Sequence, residues 1–136
     1  MRSTAAGVQA ITRAGSYDQG AARELLDVIG CGTPQVLTGT ADAISFPGTV
    51  IINSPSADAC TLALPIAGAQ PSGDDGKVCE IFVATAFAHT VTTPANGVNL
   101  TKHIITFSAT VGNNVIMQAW NGTWIVMGTE KGVTFS

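Results

Sequence analysis

Charge is what this sequence has least of. Asp, Glu, Lys and Arg make up 11% of its 136 residues, against about 25% in an ordinary soluble domain. The six cations are scattered and the net charge is −3. No basic stripe is therefore available for phosphate contacts, and direct nucleic-acid binding is not expected. Long apolar runs are missing too. Although 46% of the residues are hydrophobic, Gly, Thr, Ser, Asn and Pro interrupt every run well short of the roughly 18–20 residues of a spanning helix. A membrane span is not expected. The opening MRSTAAGVQAITRAG lacks the continuous apolar stretch of an export signal, which points to synthesis in the cytoplasm.

Reactive constellations are equally sparse. The three cysteines, Cys31, Cys60 and Cys79, stand at wide intervals and read as small buried hydrophobes kept reduced. The two histidines, His89 and His103, have no partner at a metal-binding spacing, so each reads as hydrogen-bonded or solvent-facing. Asp74-Asp75-Gly76 lacks the alternating oxygens and distant Glu of a calcium loop and reads as a turn. There is no G-x-S-x-G elbow and no evident carboxylate pair. Neither an enzyme nor a cofactor is expected. The sequons at Asn99 and Asn121 would matter only in an exported chain.

Small uncharged residues stand where charge is missing, a composition suited to a surface that a partner covers. One domain of this length can bury roughly two-thirds of its extended surface. Residues 1–32 differ from the rest and hold all three arginines. Within them DQGAARELLDVIG reads as one short helix, capped by Asp18 and stopped at Gly30. Its apolar residues Leu25, Leu26 and Ile29 are too few to hold a free helix. The segment reads as an extended arm that orders against something else.

Residues 33–136 read as a second, β-rich unit. GTPQVLTGT, GTVIINSPS, CTLALP, KVCEIFVATAFAHTVTT and KHIITFSA are Thr-rich or alternating runs, and turn clusters separate them. Strands at intervals of about 8–12 residues without helical pattern predict an all-β fold, an antiparallel β-sandwich or β-barrel. No internal repeat stands out.

The best-punctuated stretch is NNVIMQAWNGTWIVMGTEKG, which holds both tryptophans. Asn-Gly between apolar runs predicts a two-residue type I′ hairpin, because that turn needs positive φ at both central positions. Trp120 then pairs with Thr123, and Ala119 with Trp124. With side chains alternating, Ile116, Gln118, Trp120, Thr123, Ile125 and Met127 share one face. Val115, Met117, Ala119, Trp124 and Val126 share the other. Both faces are apolar, where a half-buried hairpin should show one polar face. Ile81–His89 is likewise apolar on both sides, through Phe82 and Phe87 among others. A single 136-residue chain has little room for two doubly buried systems, so packing between copies is expected. Core or subunit-interface candidates are Phe82, Phe87, Ile116, Met117, Trp120, Trp124 and Val126. A stacking platform for sugars or bases would bring more polar partners than Gln118 and Asn121.

The order LALPIAG, DDGKVCEIFVA, HTVTT, HIITF and NNVIMQAWNGTWIVMG, spanning Leu62–Met127, resembles a β-module found at the tips of bacteriophage tail and head fibres. That resemblance implies a β-tulip-like homotrimer. Fibre proteins carry a shaft before the tip, whereas a short arginine-containing arm stands there in this chain. A β body on an arm is more similar to a capsid decoration or cement protein. The implied location is the outer capsid surface of a virion, after synthesis in the host cytoplasm. The implied partners are further copies of the chain and the major capsid protein, with Arg2, Arg13, Tyr17 and Arg23 as capsid-contact candidates. A receptor-binding protein of tail fibre or baseplate, recognising host-surface glycan, is the alternative it implies.

Overall fold

Alternation of β-branched and small residues makes strands of nearly every segment in which the sequence shows it. The computed structural model describes residues 32–128 and 130–136. The expected helix, the capsid-contact candidates Arg2, Arg13, Tyr17 and Arg23, and Cys31 lie outside the described residues. The described residues form ten strands: β1 (Gln35–Leu37), β2 (Ala43–Ile44), β3 (Gly48–Ile52), β4 (Ala59–Leu62), β5 (Val78–Val83), β6 (Thr90–Thr92), β7 (Ile104–Phe107), β8 (Asn114–Trp120), β9 (Thr123–Val126) and β10 (Val133–Phe135).

They form two five-stranded sheets, ordered β1-β3-β5-β8-β9 and β10-β7-β6-β4-β2. Each sheet ends in two separate edge strands, so the body is sandwich-like and the barrel alternative falls. The antiparallel expectation is corrected as well, since both sheets are mixed. In the first, β1 pairs parallel with β3 and β3 with β5. In the second, β2 pairs parallel with β4 and β4 with β6. The cause is the route of the chain, which alternates between sheets from β1 to β6. Two reversals bring it back to each sheet in its original direction, giving parallel neighbours without helical crossovers. From β6 onward the pairings are antiparallel: β6 with β7, β7 with β10, β5 with β8, and β8 with β9.

Each inward face supplies every second residue to one core. Val50, Ile52, Cys79, Ile81, Val83, Val115, Met117 and Trp124 come from the first sheet, and Cys60, Leu62, Val91, Ile105 and Phe107 from the second; all are buried. Burial of one such side chain stabilises the fold by about 1.5–3 kcal/mol. Trp124 is the largest fully buried side chain. Its indole N–H donates to the Ala63 carbonyl at 3.0 Å, and Phe46 meets its ring edge-on at a centroid distance of 4.8 Å.

The run 77–93 is not one long strand. β5 stops at Val83, and residues 84–89 carry the chain across to β6 in the other sheet. Apolarity on both sides of this segment thus reflects a crossing between layers, not a second doubly buried strand. The hairpin follows the expected register, with Ala119 opposite Trp124 and Trp120 opposite Thr123. Asn121 and Gly122 have φ of 48° and 80°, as a type I′ turn requires.

Candidate functional site

Three arches carry the chain from the first sheet to the second: residues 38–42, 53–58 and 84–89. They stack because the strands they join are neighbours in both sheets. Their sequences share a pattern, Thr38-x-x-Ala41-Asp42, Ser54-x-x-Ala57-Asp58 and Thr85-x-x-Ala88-His89, each followed by Ala or Thr and an inward apolar residue. This is an internal repeat, contrary to the expectation of none. The final side chains of the second and third arches serve the arch before them, while Asp42 accepts the Gly39 N–H at 2.8 Å within its own. The Asp42 backbone N–H donates to Asp58 Oδ1 at 3.2 Å, and the Asp58 N–H donates to His89 Nδ1 at 3.0 Å. Within an arch, Ser54 Oγ donates to Asp58 Oδ2 at 2.9 Å, and Thr85 Oγ1 lies 3.1 Å from His89 Nε2.

Because Nδ1 accepts, the proton of neutral His89 sits on Nε2 and points at Thr85. Ser, Asp and His gather here, but not as a catalytic relay. The serine hydroxyl bonds the aspartate, while the histidine meets only the aspartate's backbone N–H. Ser54, Asp58 and His89 are all buried. Their chemistry is to satisfy the backbone of stacked arches, which burial would otherwise penalise. Burial alone would raise the Asp58 pKa, but hydrogen bonds from Asp42, Ser54 and Cys60 outweigh it and hold the carboxyl below its ordinary value. The Cys60 thiol is pushed up to about 12, by burial and then by Asp58. Burial takes Cys79 to about 12 as well. Neither is a nucleophile at neutral pH. No group of three or more metal-binding side chains occurs among the described residues. No helix among them is long and apolar enough to cross a membrane.

The outer faces of the two sheets differ. The second sheet presents Thr61, Thr90, Thr92, Thr106 and Thr134, with Thr61 opposite Thr92 and Thr106 between Thr90 and Thr134. Such cross-strand pairs suit an open face. The outer face of the first sheet carries Val36, Ile51, Val78, Phe82, Ile116, Trp120 and Ile125 among Thr49, Asn114 and Gln118; Glu80 is the one charge on its strands, and Lys131 is bridged to Asn114 at its rim. Val36, Val78, Phe82 and Trp120 are exposed. Among the sequence candidates, Phe82, Ile116 and Trp120 thus lie on this face. Phe87 is exposed in the third arch, edge-on to His89 at 6.1 Å. Met117 and Trp124 are buried in the core, and Val126 is half-buried against it.

At the hairpin end of this face lies an open hollow of about 500 Å³, lined by Gly76, Gln118, Ala119, Trp120, Ile125 and Met127. Trp120 is 54% exposed. Past Val78 the β5–β8 ladder is bulged: the Gly76 N–H donates to the Ala119 carbonyl and the Ala119 N–H to the Lys77 carbonyl, so Gly76 and Lys77 both stand opposite Ala119. Gly76 lines the hollow beside Trp120 and has no side chain to fill it. Its φ of 90° is one that L side chains rarely adopt. Asp75 accepts the Asn121 N–H at 2.8 Å. Asp74 fixes this turn by accepting the Ile66 N–H at 2.7 Å and pairing with Lys77 at 2.7 Å. Those contacts, the Ile66 bond first, hold the Asp74 carboxyl below its ordinary pKa. Sequence reasoning missed Asp75 and Gly76 as neighbours of Trp120. Their only signal was a turn just before an alternating run.

No protein-family model matches the chain, and no curated protein and no solved structure matches it either.

Proposed function

We propose that this chain is a structural protein of a bacteriophage virion, a homotrimeric capsid decoration or cement protein. The observation that carries the reading is the contrast between the outer faces, one rich in threonine and one apolar with a single carboxylate. An apolar face on a chain so poor in charge favours association with further copies. Phe82, Ile116 and their neighbours Val36 and Ile51 form the part of that face assigned to the subunit contact.

Residues 1–32 supply the second contact. Arg2, Arg13, Tyr17 and Arg23 give them the cations and the aromatic ring that suit docking on the major capsid protein. The function is stabilisation by linkage: a protein that binds only the assembled shell shifts the equilibrium toward it by mass action. The location is the outer capsid surface, reached after synthesis in the host cytoplasm. Deleting residues 1–30 tests the division of labour. The truncated chain is expected to keep its mass in solution but no longer co-sediment with empty mature capsids of the phage that encodes it. A truncated chain that still decorates those capsids contradicts the role of the arm.

A further inference from the structure

We propose that the hollow beside Trp120 is a saccharide site that takes the apolar face of a neutral pyranose. This goes beyond the virion reading and does not rest on it. Of the two tryptophans, Trp124 is fully buried and has its indole N–H satisfied, whereas Trp120 holds its ring open to solvent beside unfilled space. Gly76, in the bulge opposite Ala119, lines that space and adds no side chain to it. About 500 Å³ falls within the range of roughly 300–1,000 Å³ typical of small-ligand pockets.

The lining matches the two chemistries of a sugar ring. Trp120, Ile125 and Met127 offer apolar surface to C–H groups, with the indole as platform. Gln118 spends one amide N–H on the Gly76 carbonyl at 3.3 Å, leaving its carbonyl oxygen and a second N–H for hydroxyls. Asp75 stands next to the lining, not in it: one oxygen accepts the Asn121 N–H, and its second oxygen meets no protein donor among the described residues. The same carboxylate sets the selectivity. The ammonium nearest in sequence, Lys77, is paired with Asp74, so an acidic sugar would meet an uncompensated negative charge. A nucleotide is disfavoured for the related reason that its phosphates find no free cation beside the ring among the described residues, Lys77 being paired with Asp74. The site is also held in shape. The type I′ turn and the Asp75–Asn121 bond fix the ring's backbone before any ligand arrives, which lowers the ordering cost of binding.

The test uses the full chain and a panel of neutral and acidic oligosaccharides, scored by tryptophan emission. Because Trp124 is buried, an emission shift reports Trp120. Saturable shifts with a neutral oligosaccharide are expected, with affinity at least ten-fold weaker in Trp120→Ala and partly kept in Trp120→Phe. The urea midpoint of Trp120→Ala should stay at the parent value, separating lost binding from lost folding. Asp75→Asn should admit acidic sugars. No binding at millimolar neutral saccharide overturns the proposal, as does binding that Trp120→Ala leaves intact. Emission that follows protein concentration and ignores sugar also overturns it, by assigning the ring to a contact between copies. Capsid co-sedimentation is read separately and bears only on the virion reading.

Discussion

His89 occupies in the third arch the place that Asp42 and Asp58 hold in the first two. A third carboxylate there would face Asp58 across stacked backbones, while neutral imidazole accepts the Asp58 N–H without adding charge. His89→Leu should therefore cost about 1–3 kcal/mol by orphaning a buried N–H. His89→Asn, which retains an acceptor near Nδ1, should cost less. Urea unfolding of the two variants checks the order. Asp58 gives a pH prediction. Its folded pKa lies below 3.8, so its contribution is complete above that value and fades as pH falls through the lower folded pKa. Urea midpoints should drop on acidification below 3.8, and Asp58→Asn should flatten that drop. A midpoint independent of pH there would contradict the assigned hydrogen bonds. The repeat behind this network was present in the sequence. It escaped notice because the equivalent residues lie 16 and then 31 positions apart, and one is histidine where the others are aspartate.

Among the elements, the β8–β9 hairpin was the most legible, because Asn121-Gly122 fixes both the turn and the pairing. Its tryptophans should separate sharply on substitution. Trp124→Ala removes the largest buried side chain and is expected to cost about 3–5 kcal/mol. Trp120→Ala, on the outer face, should change the stability of the isolated subunit by about 0.5 kcal/mol or less. Equal losses would contradict the assignment of the two rings to opposite faces. Other elements were less legible for physical reasons. β2 and β10 have two and three residues, too few to show a period. Mixed pairing was illegible because a period of two is common to parallel and antiparallel strands, while direction is set by where the arches cross. Val83 and Ala84 look alike in pattern, yet the strand ends between them.

At the scale of the whole molecule, the two outer faces imply different fates. The threonine face can remain in water with its hydroxyls solvated, whereas the face bearing Phe82 and Ile116 gains from being covered. Its apolar character was legible in the hairpin and around Phe82. That these residues share one sheet was not, because β5 and β8 pair across more than thirty residues. Phe82→Glu adds a second carboxylate to a face that carries only Glu80, and it should disrupt self-association while leaving the fold intact. Its far-ultraviolet circular dichroism should match that of the parent chain. The most direct test of the account is the sedimentation-equilibrium mass of the full chain beside this variant. A mass of about 41 kDa, three times the 13.8 kDa of one chain, falling toward one chain in Phe82→Glu, is the predicted result. A parent chain that remains at 13.8 kDa at every concentration would contradict it.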